Sequence, residues 1–150
     1  MQKEQLRRWW QQRRRRPLNS PEESRIDTWV SQGLDRFGPF GSIEDALEQH
    51  KIVLTLSQDA HEVAGVRFRA RLDMHHRRLT LFAQALDELQ AFCPDRKQLT
   101  EVILAHELFH LLCPDCPAPF QEAAAHMFAA RVAKLEGFPG LWDLFPRTPE

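Results

Sequence analysis

The stretch LAHELFHLLCPDCPAPFQEAAAHMFA, from Leu104 to Ala129, holds three of the chain's seven histidines and two of its three cysteines. It also carries acids at Glu107, Asp115 and Glu122. Within it, His106-Glu107-Leu108-Phe109-His110 forms the HExxH pattern. Residues i and i+4 share a helix face, so both imidazoles can meet one Zn²⁺. Glu107 lies about 100° around the helix from His106 and does not compete for that position. It can instead reach a metal-bound water and take its proton. Val102, Ile103, Ala105 and Phe109 give this helix a buried side, which predicts histidines at the floor of a cleft.

A catalytic zinc site needs a third protein ligand and an open position. The stretch offers four sources. Glu122 follows His110 by twelve residues and is expected in the first turn of the next helix, which a short hairpin would aim back at the metal. A first-turn acid also suits the helix dipole with no metal involved. Asp115 stands in the proline-bounded connection. His126 lies one turn beyond Glu122 and suits a ligand or a residue that orients one. Cys113 and Cys116 form CxxC, a metal or redox pattern, but no second pair stands nearby. Glu122 leads this group.

Working outward, Ser20-Pro21-Glu22-Glu23 is a capping box opening a helix that runs through Ile26, Trp29, Val30, Leu34 and Phe37 to a stop at Gly38-Pro39. A short helix follows from Ser42 to about His50. Lys51 to Ser57 (KIVLTLS), Val66 to Leu72 (VRFRARL) and Arg78 to Ala83 (RLTLFA) then read as strands, the last two a hairpin turning at Asp73 to His76. A helical piece is expected over Gln84 to Phe92. Asp95 with Gln98 caps the HExxH helix, and a last helix spans about Pro119 to Glu136 before Gly137. The expected class is α+β: one small domain, with a mixed or antiparallel sheet of about three strands packed on the HExxH helix and the ligand-bearing helix after it.

At 150 residues the chain suits one core. Its 43% hydrophobic and 27% charged residues are those of a globular protein rather than a disordered one. No apolar run approaches the roughly 20 residues that span a bilayer. No signal-peptide core is visible, and three cysteines make a poor disulfide framework. A cytoplasmic location is expected. Residues 1–16 carry Lys3, Arg7, Arg8 and Arg13 to Arg16 against Glu4 alone, a balance of +6 in a chain whose net charge is −1. Residues 1–18 therefore read as a basic arm ahead of a domain at 19–150. With Trp9 and Trp10 the arm suits a nucleic-acid or anionic-surface contact, or a targeting leader. It equally suits a solvated basic helix that packs Leu6, Trp9 and Trp10 on the domain.

Three elements in order resemble the ImmA/IrrE family of zinc metallopeptidases, gluzincin-type zincins: the strand Leu79-Thr80-Leu81, the helix segment Ile103 to His110, and Glu122 to Ala129. The resemblance covers roughly residues 43–133. It implies a zincin-like peptidase domain with Zn²⁺ on His106, His110 and Glu122, and Glu107 as the catalytic base. It further implies a protein or peptide substrate, transcriptional regulators among them. Phe109 stands where the family often has Gly or Ala, and His126 where it usually has Asp or Asn. The chain contains no tyrosine to stabilise an oxyanion, so His126, His61, His75, His76, Arg131 or a backbone N–H must supply that role. Arg67, Arg69 and Arg71 on the hairpin read as charge that protects a sheet edge, or that favours an acidic partner. A function of another class also fits: a zinc-containing, non-hydrolytic binding module acting through its basic arm.

Overall fold

Side chains that accept the first free amides set the helix starts. Ser42 Oγ accepts from the Asp45 amide at 3.1 Å and opens α2 (Ile43–Gln49). Asp95 Oδ1 accepts from the Lys97 and Gln98 amides at 3.0 and 3.1 Å and opens α4 (Arg96–Leu112). The computed structural model describes residues 21–59, 61–63, 66–90 and 95–133. The expected arm, the cap at Ser20 and the tail beyond Ala133 lie outside them. Among the described residues, α1 (Pro21–Phe37), α3 (Ala83–Leu89) and α5 (Ala118–Val132) complete the helices.

Five short strands lie among the described residues: β1 (Val53–Ser57), β2 (His61–Val63), β3 (Val66–Phe68), β4 (Ala70–Asp73) and β5 (Arg78–Phe82). The chain enters β1 through Lys51, which takes a left-handed φ of 59° while the Ile52 amide donates to Leu47 O at 2.9 Å. That bond closes α2 and turns the backbone into the sheet. Strand order in the main sheet is β1-β5-β4, with β1 parallel and β4 antiparallel to β5. The sheet is mixed, and the class is α+β.

One expected strand is two. Val66 to Leu72 breaks at Arg69, because β3 pairs antiparallel with β2 while β4 pairs with β5. Two partners in different directions require a bend between them. The last helix begins at Ala118 rather than Pro119, with no acid in its first turn, so Glu122 stands one residue further in than expected, just past that turn. At that position the helix dipole is a weaker reason for Glu122, since its effect falls off past the first turn.

Helix α4 is the centre of the core. Val102, Ile103, Leu104, Ala105, Leu108 and Phe109 are all fully or almost fully buried. Helix α5 lies along α4, and α1 packs over α5. Phe128 of α5 stacks edge-on against Phe37 at 6.0 Å and lies 5.6 Å from Phe109. The helices come this close because α1 presents Gly33 to the two rings. A Cβ there would lie 3.0 Å from Phe109 Cδ1 and 3.1 Å from Phe128 Cδ2. Phe109 thus fills the room that Gly33 leaves. In a solvated helix Gly→Ala gains about 1 kcal/mol. At Gly33 we expect Ala to be destabilising, by up to about 2 kcal/mol net, because the overpacking cost of about 1–3 kcal/mol outweighs propensity. Urea unfolding of Gly33→Ala checks this, and an unchanged or raised midpoint would contradict it.

No described helix is long and apolar enough to cross a membrane.

Candidate metal centre

His106 and His110 lie one turn apart on α4, and α5 returns antiparallel after the short connection 113–117. The return is held from outside the site. Arg36 of α1 donates from Nη1 to Leu112 O at 2.7 Å and to Asp115 Oδ1 at 2.9 Å. It thereby satisfies a carbonyl at the end of α4 and fixes the connection that follows. Glu122 is delivered opposite the two imidazoles. Its Oε2 stands 3.3 Å from His106 Nε2 and its Oε1 3.3 Å from His110 Nε2. The two Nε2 atoms are 3.4 Å apart.

These separations are those of ligands around a small cation. Tetrahedral zinc with bonds of about 2.0–2.1 Å places its donors about 3.3 Å from one another. Four atoms that carry electron pairs converge here, two imidazole nitrogens and both Glu122 oxygens, so a proton or a metal cation has to lie among them. Two imidazoles and a carboxylate are also a usual protein donor set for catalytic zinc. The residues fit the metal.

His126 belongs to the same cluster but stands behind it. Its Nδ1 faces His106 Nδ1 at 3.2 Å, and its Nε2 is 3.9 Å from Glu122 Oε2. His106, Glu122 and His126 can also bring one donor atom each within 4.8 Å of one another. The trio with His110 is the tighter one, and it leaves His126 on the far ring nitrogen of His106. Histidine ligands are commonly oriented by a partner at that nitrogen. His106 and His126 are buried, whereas Glu122 is exposed at the cleft.

The other candidates are drawn away. Asp115 is engaged by Arg36, whose hydrogen bond holds the Asp115 carboxyl below its ordinary range. Cys113 and Cys116 are free thiols packed in the core, and burial pushes both up in pKa, away from the thiolate that binds metal. At the site itself, hydrogen bonds from His106 and His110 hold the Glu122 carboxyl far below the usual carboxylate range. Burial opposes the charged form of His110, but the Glu122 hydrogen bond and the charges of Glu107 and Glu122 outweigh it, and His110 titrates higher than an ordinary histidine.

A cleft of about 490 Å³ opens over this cluster. One wall is the strand segment 68–72, and the other carries His106, Glu107 and His110 of α4 with Gln121 and Glu122 of α5. Glu107 therefore shares the cleft with the donors. None of the residues expected to stabilise an oxyanion lines the cleft among the described side chains. His126 lies behind His106, His76 pairs with Asp73 at 2.7 Å on an exposed turn beside His75, and Arg131 is exposed near the end of α5. The His61 side chain lies outside the described residues.

Arg69 takes their place in the cleft. In the sequence it groups with Arg67 and Arg71 as charge that protects a sheet edge or favours an acidic partner, and alternation alone cannot show that the strand bends at this residue. Comparison of the chain with protein-family models, with curated proteins and with solved structures found no match.

Proposed function

We propose that the chain is a zinc-dependent metallopeptidase that cleaves a protein or peptide substrate. The observation that carries this reading is the triangle of His106 Nε2, His110 Nε2 and the Glu122 carboxylate, with edges of 3.3, 3.3 and 3.4 Å, in a cleft that Glu107 also lines. Bound there, zinc would supply a Lewis acid that polarises a carbonyl and acidifies water.

The chain's own residues do the rest. His106, His110 and Glu122 would hold the metal. His126 orients His106 from the opposite ring nitrogen. Glu107 accepts a proton from the attacking water at its carboxylate and returns it to the departing amine.

Substrate orientation comes from β4, an edge of the main sheet. The Phe82 amide donates to Arg69 O at 2.8 Å, and the register continues through Ala70↔Leu81 to Asp73↔Arg78. Antiparallel pairs alternate between bonded and non-bonded, so Arg71 and Asp73 turn their backbone groups toward β5. Ala70 and Leu72 turn theirs toward the free edge. Both residues line the cleft. An extended peptide can pair with those groups and lie along the cleft.

The test is metal-dependent cleavage. Purified chain is expected to carry one zinc by elemental analysis, to cleave a protein substrate trapped with the Glu107→Gln variant, and to lose cleavage when zinc is chelated. Cleavage that persists in metal-free protein would refute the reading, as would a chain that never takes up zinc.

A further inference from the structure

The main sheet ends on two unlike edges. On one side β4 carries Arg71 and Asp73, charges of the kind that keep an edge in water. On the other side, among the described residues, β1 lies outermost, and from Ile52 to Gln58 the chain holds no charge, no proline and no glycine. Val53, Leu54 and Leu56 are 62%, 43% and 54% exposed. An apolar, uncharged edge of this kind is a template for a further strand. We infer that β1 is a self-association edge, which pairs antiparallel with β1 of a second copy about a two-fold axis at Thr55.

Backbone direction supplies the first argument. The Val53 amide donates to Arg77 O at 2.9 Å, so Val53 turns its backbone groups toward β5. In a ladder every second residue does the same, which assigns Thr55 and Ser57 to β5 as well. The amides and carbonyls of Leu54 and Leu56 then point to the open edge. About an axis at Thr55, Leu54 of each copy stands opposite Leu56 of the other. Each such pair can exchange both of its N–H···O bonds.

Side chains give the second argument. The register sets Leu54 beside Leu79 and Leu56 beside Leu81, and paired residues share a face of the sheet. Leu79 and Leu81 are buried in the core, so the apolar layer runs on past β5 and is left open at β1. The two-fold axis brings the leucines of both copies together on that face and carries the layer across the joint.

Charge names the occupant. Lys51 and Asp59 flank the strand, both exposed, four positions to either side of Thr55. The same axis therefore brings Lys51 of each copy level with Asp59 of the other. A parallel pairing would instead set lysine on lysine and aspartate on aspartate, which is unfavourable. A strand whose two ends complement each other on reversal fits a second copy of itself. The cleft of each copy stays free, since its strand wall leads into β4 at the opposite edge.

Sedimentation velocity on the full-length chain is the first test. Five-residue strands make a small interface, so a Kd on the order of 100 µM is expected, with dimer growing between about 10 µM and 1 mM. Leu56→Lys puts a lysine on the edge and should abolish the dimer. Lys51→Glu and Asp59→Lys each turn attractive pairs into like-charge pairs and should weaken dimerisation by about tenfold. The chain carrying both changes should recover most of that loss, which mere damage to the fold would not allow.

Cross-linking checks the register. Thr55 meets itself across the axis as a non-bonded pair with Cα atoms about 4.5 Å apart, within the span of a disulfide. Thr55→Cys should therefore give a covalent dimer on mild oxidation with diamide. Val53→Cys, also exposed and on the same face, should stay at the wild-type background, because its two copies lie about 13 Å apart along the strands. A chain that stays monomeric to about 1 mM, with Thr55→Cys no more cross-linked than wild type, overturns the inference and leaves β1 to another segment or another protein. A dimer that survives Leu56→Lys and both charge reversals overturns it too, as does one cross-linked through position 53 as readily as through 55.

Discussion

Replacing Glu107 by Gln is expected to lower peptide hydrolysis by roughly 10²–10⁴-fold while zinc content and the thermal melt stay those of the wild type, since that is the usual contribution of a positioned general base. The substitution keeps the shape of the side chain and removes only its basicity. Glu107 is not a core residue: it is half-buried on α4, with one side open to the cleft. Nothing in the packing of α4 demands a carboxylate there, and a helix that merely holds zinc through His106 and His110 has no use for one. Its charge acts on His110 and on Arg69, which places it within the electrostatic reach of both cleft walls. The measurement is a single-turnover rate on the protein substrate, beside elemental analysis of the same sample. A Gln variant that cleaves at the wild-type rate would remove Glu107 from the chemistry. A wild type that binds its partner tightly and never cuts it would favour the non-hydrolytic binding module.

Much of this was legible because the contacts involved are local. Asp95 caps α4 through amides two and three residues away, and Ser42 caps α2 the same way. The His106–His110 pair needs only the helical repeat, and Glu122 needs only a short connection between two helices. What stayed hidden depends on distant partners. The clamp from Arg36 to Asp115 joins residues 79 apart in the chain, and it engages the one acid of the connection that the sequence left as a candidate ligand. The bend at Arg69 exists because β3 and β4 answer to different strands. The parallel pairing of β1 with β5 has no mark in either segment, since each reads as an ordinary branched, apolar strand. Gly33 was equally silent, because its purpose is the space taken by Phe109 and Phe128.

The proposed zinc ligands give the sharpest expected contrast, because two trios share His106 and Glu122 and differ only in the third imidazole. If His110 completes the set, His110→Ala leaves two protein donors, and zinc should be lost on gel filtration. His126→Ala should keep zinc and bind it about 10–100-fold more weakly, the usual cost of removing the partner that orients a ligand. The geometry favours this outcome. His110 Nε2 lies 3.3 Å from Glu122 and 3.4 Å from His106 Nε2, whereas His126 reaches Glu122 only at 3.9 Å and meets His106 through the ring nitrogen on its far side. Glu122→Ala should lose zinc under either arrangement. Stability reports the same equilibrium independently: zinc at about 100 times its Kd adds roughly 2.7 kcal/mol, a rise of about 5–10 °C in the melting temperature of a chain this size. Wild type should show that rise and His110→Ala should not. A His126→Ala variant that loses zinc while His110→Ala retains it would move the metal to the His106–Glu122–His126 trio. His126, unlike His110, is not among the residues lining the cleft that holds Glu107, so the hydrolytic mechanism would lose a ligand from its cleft.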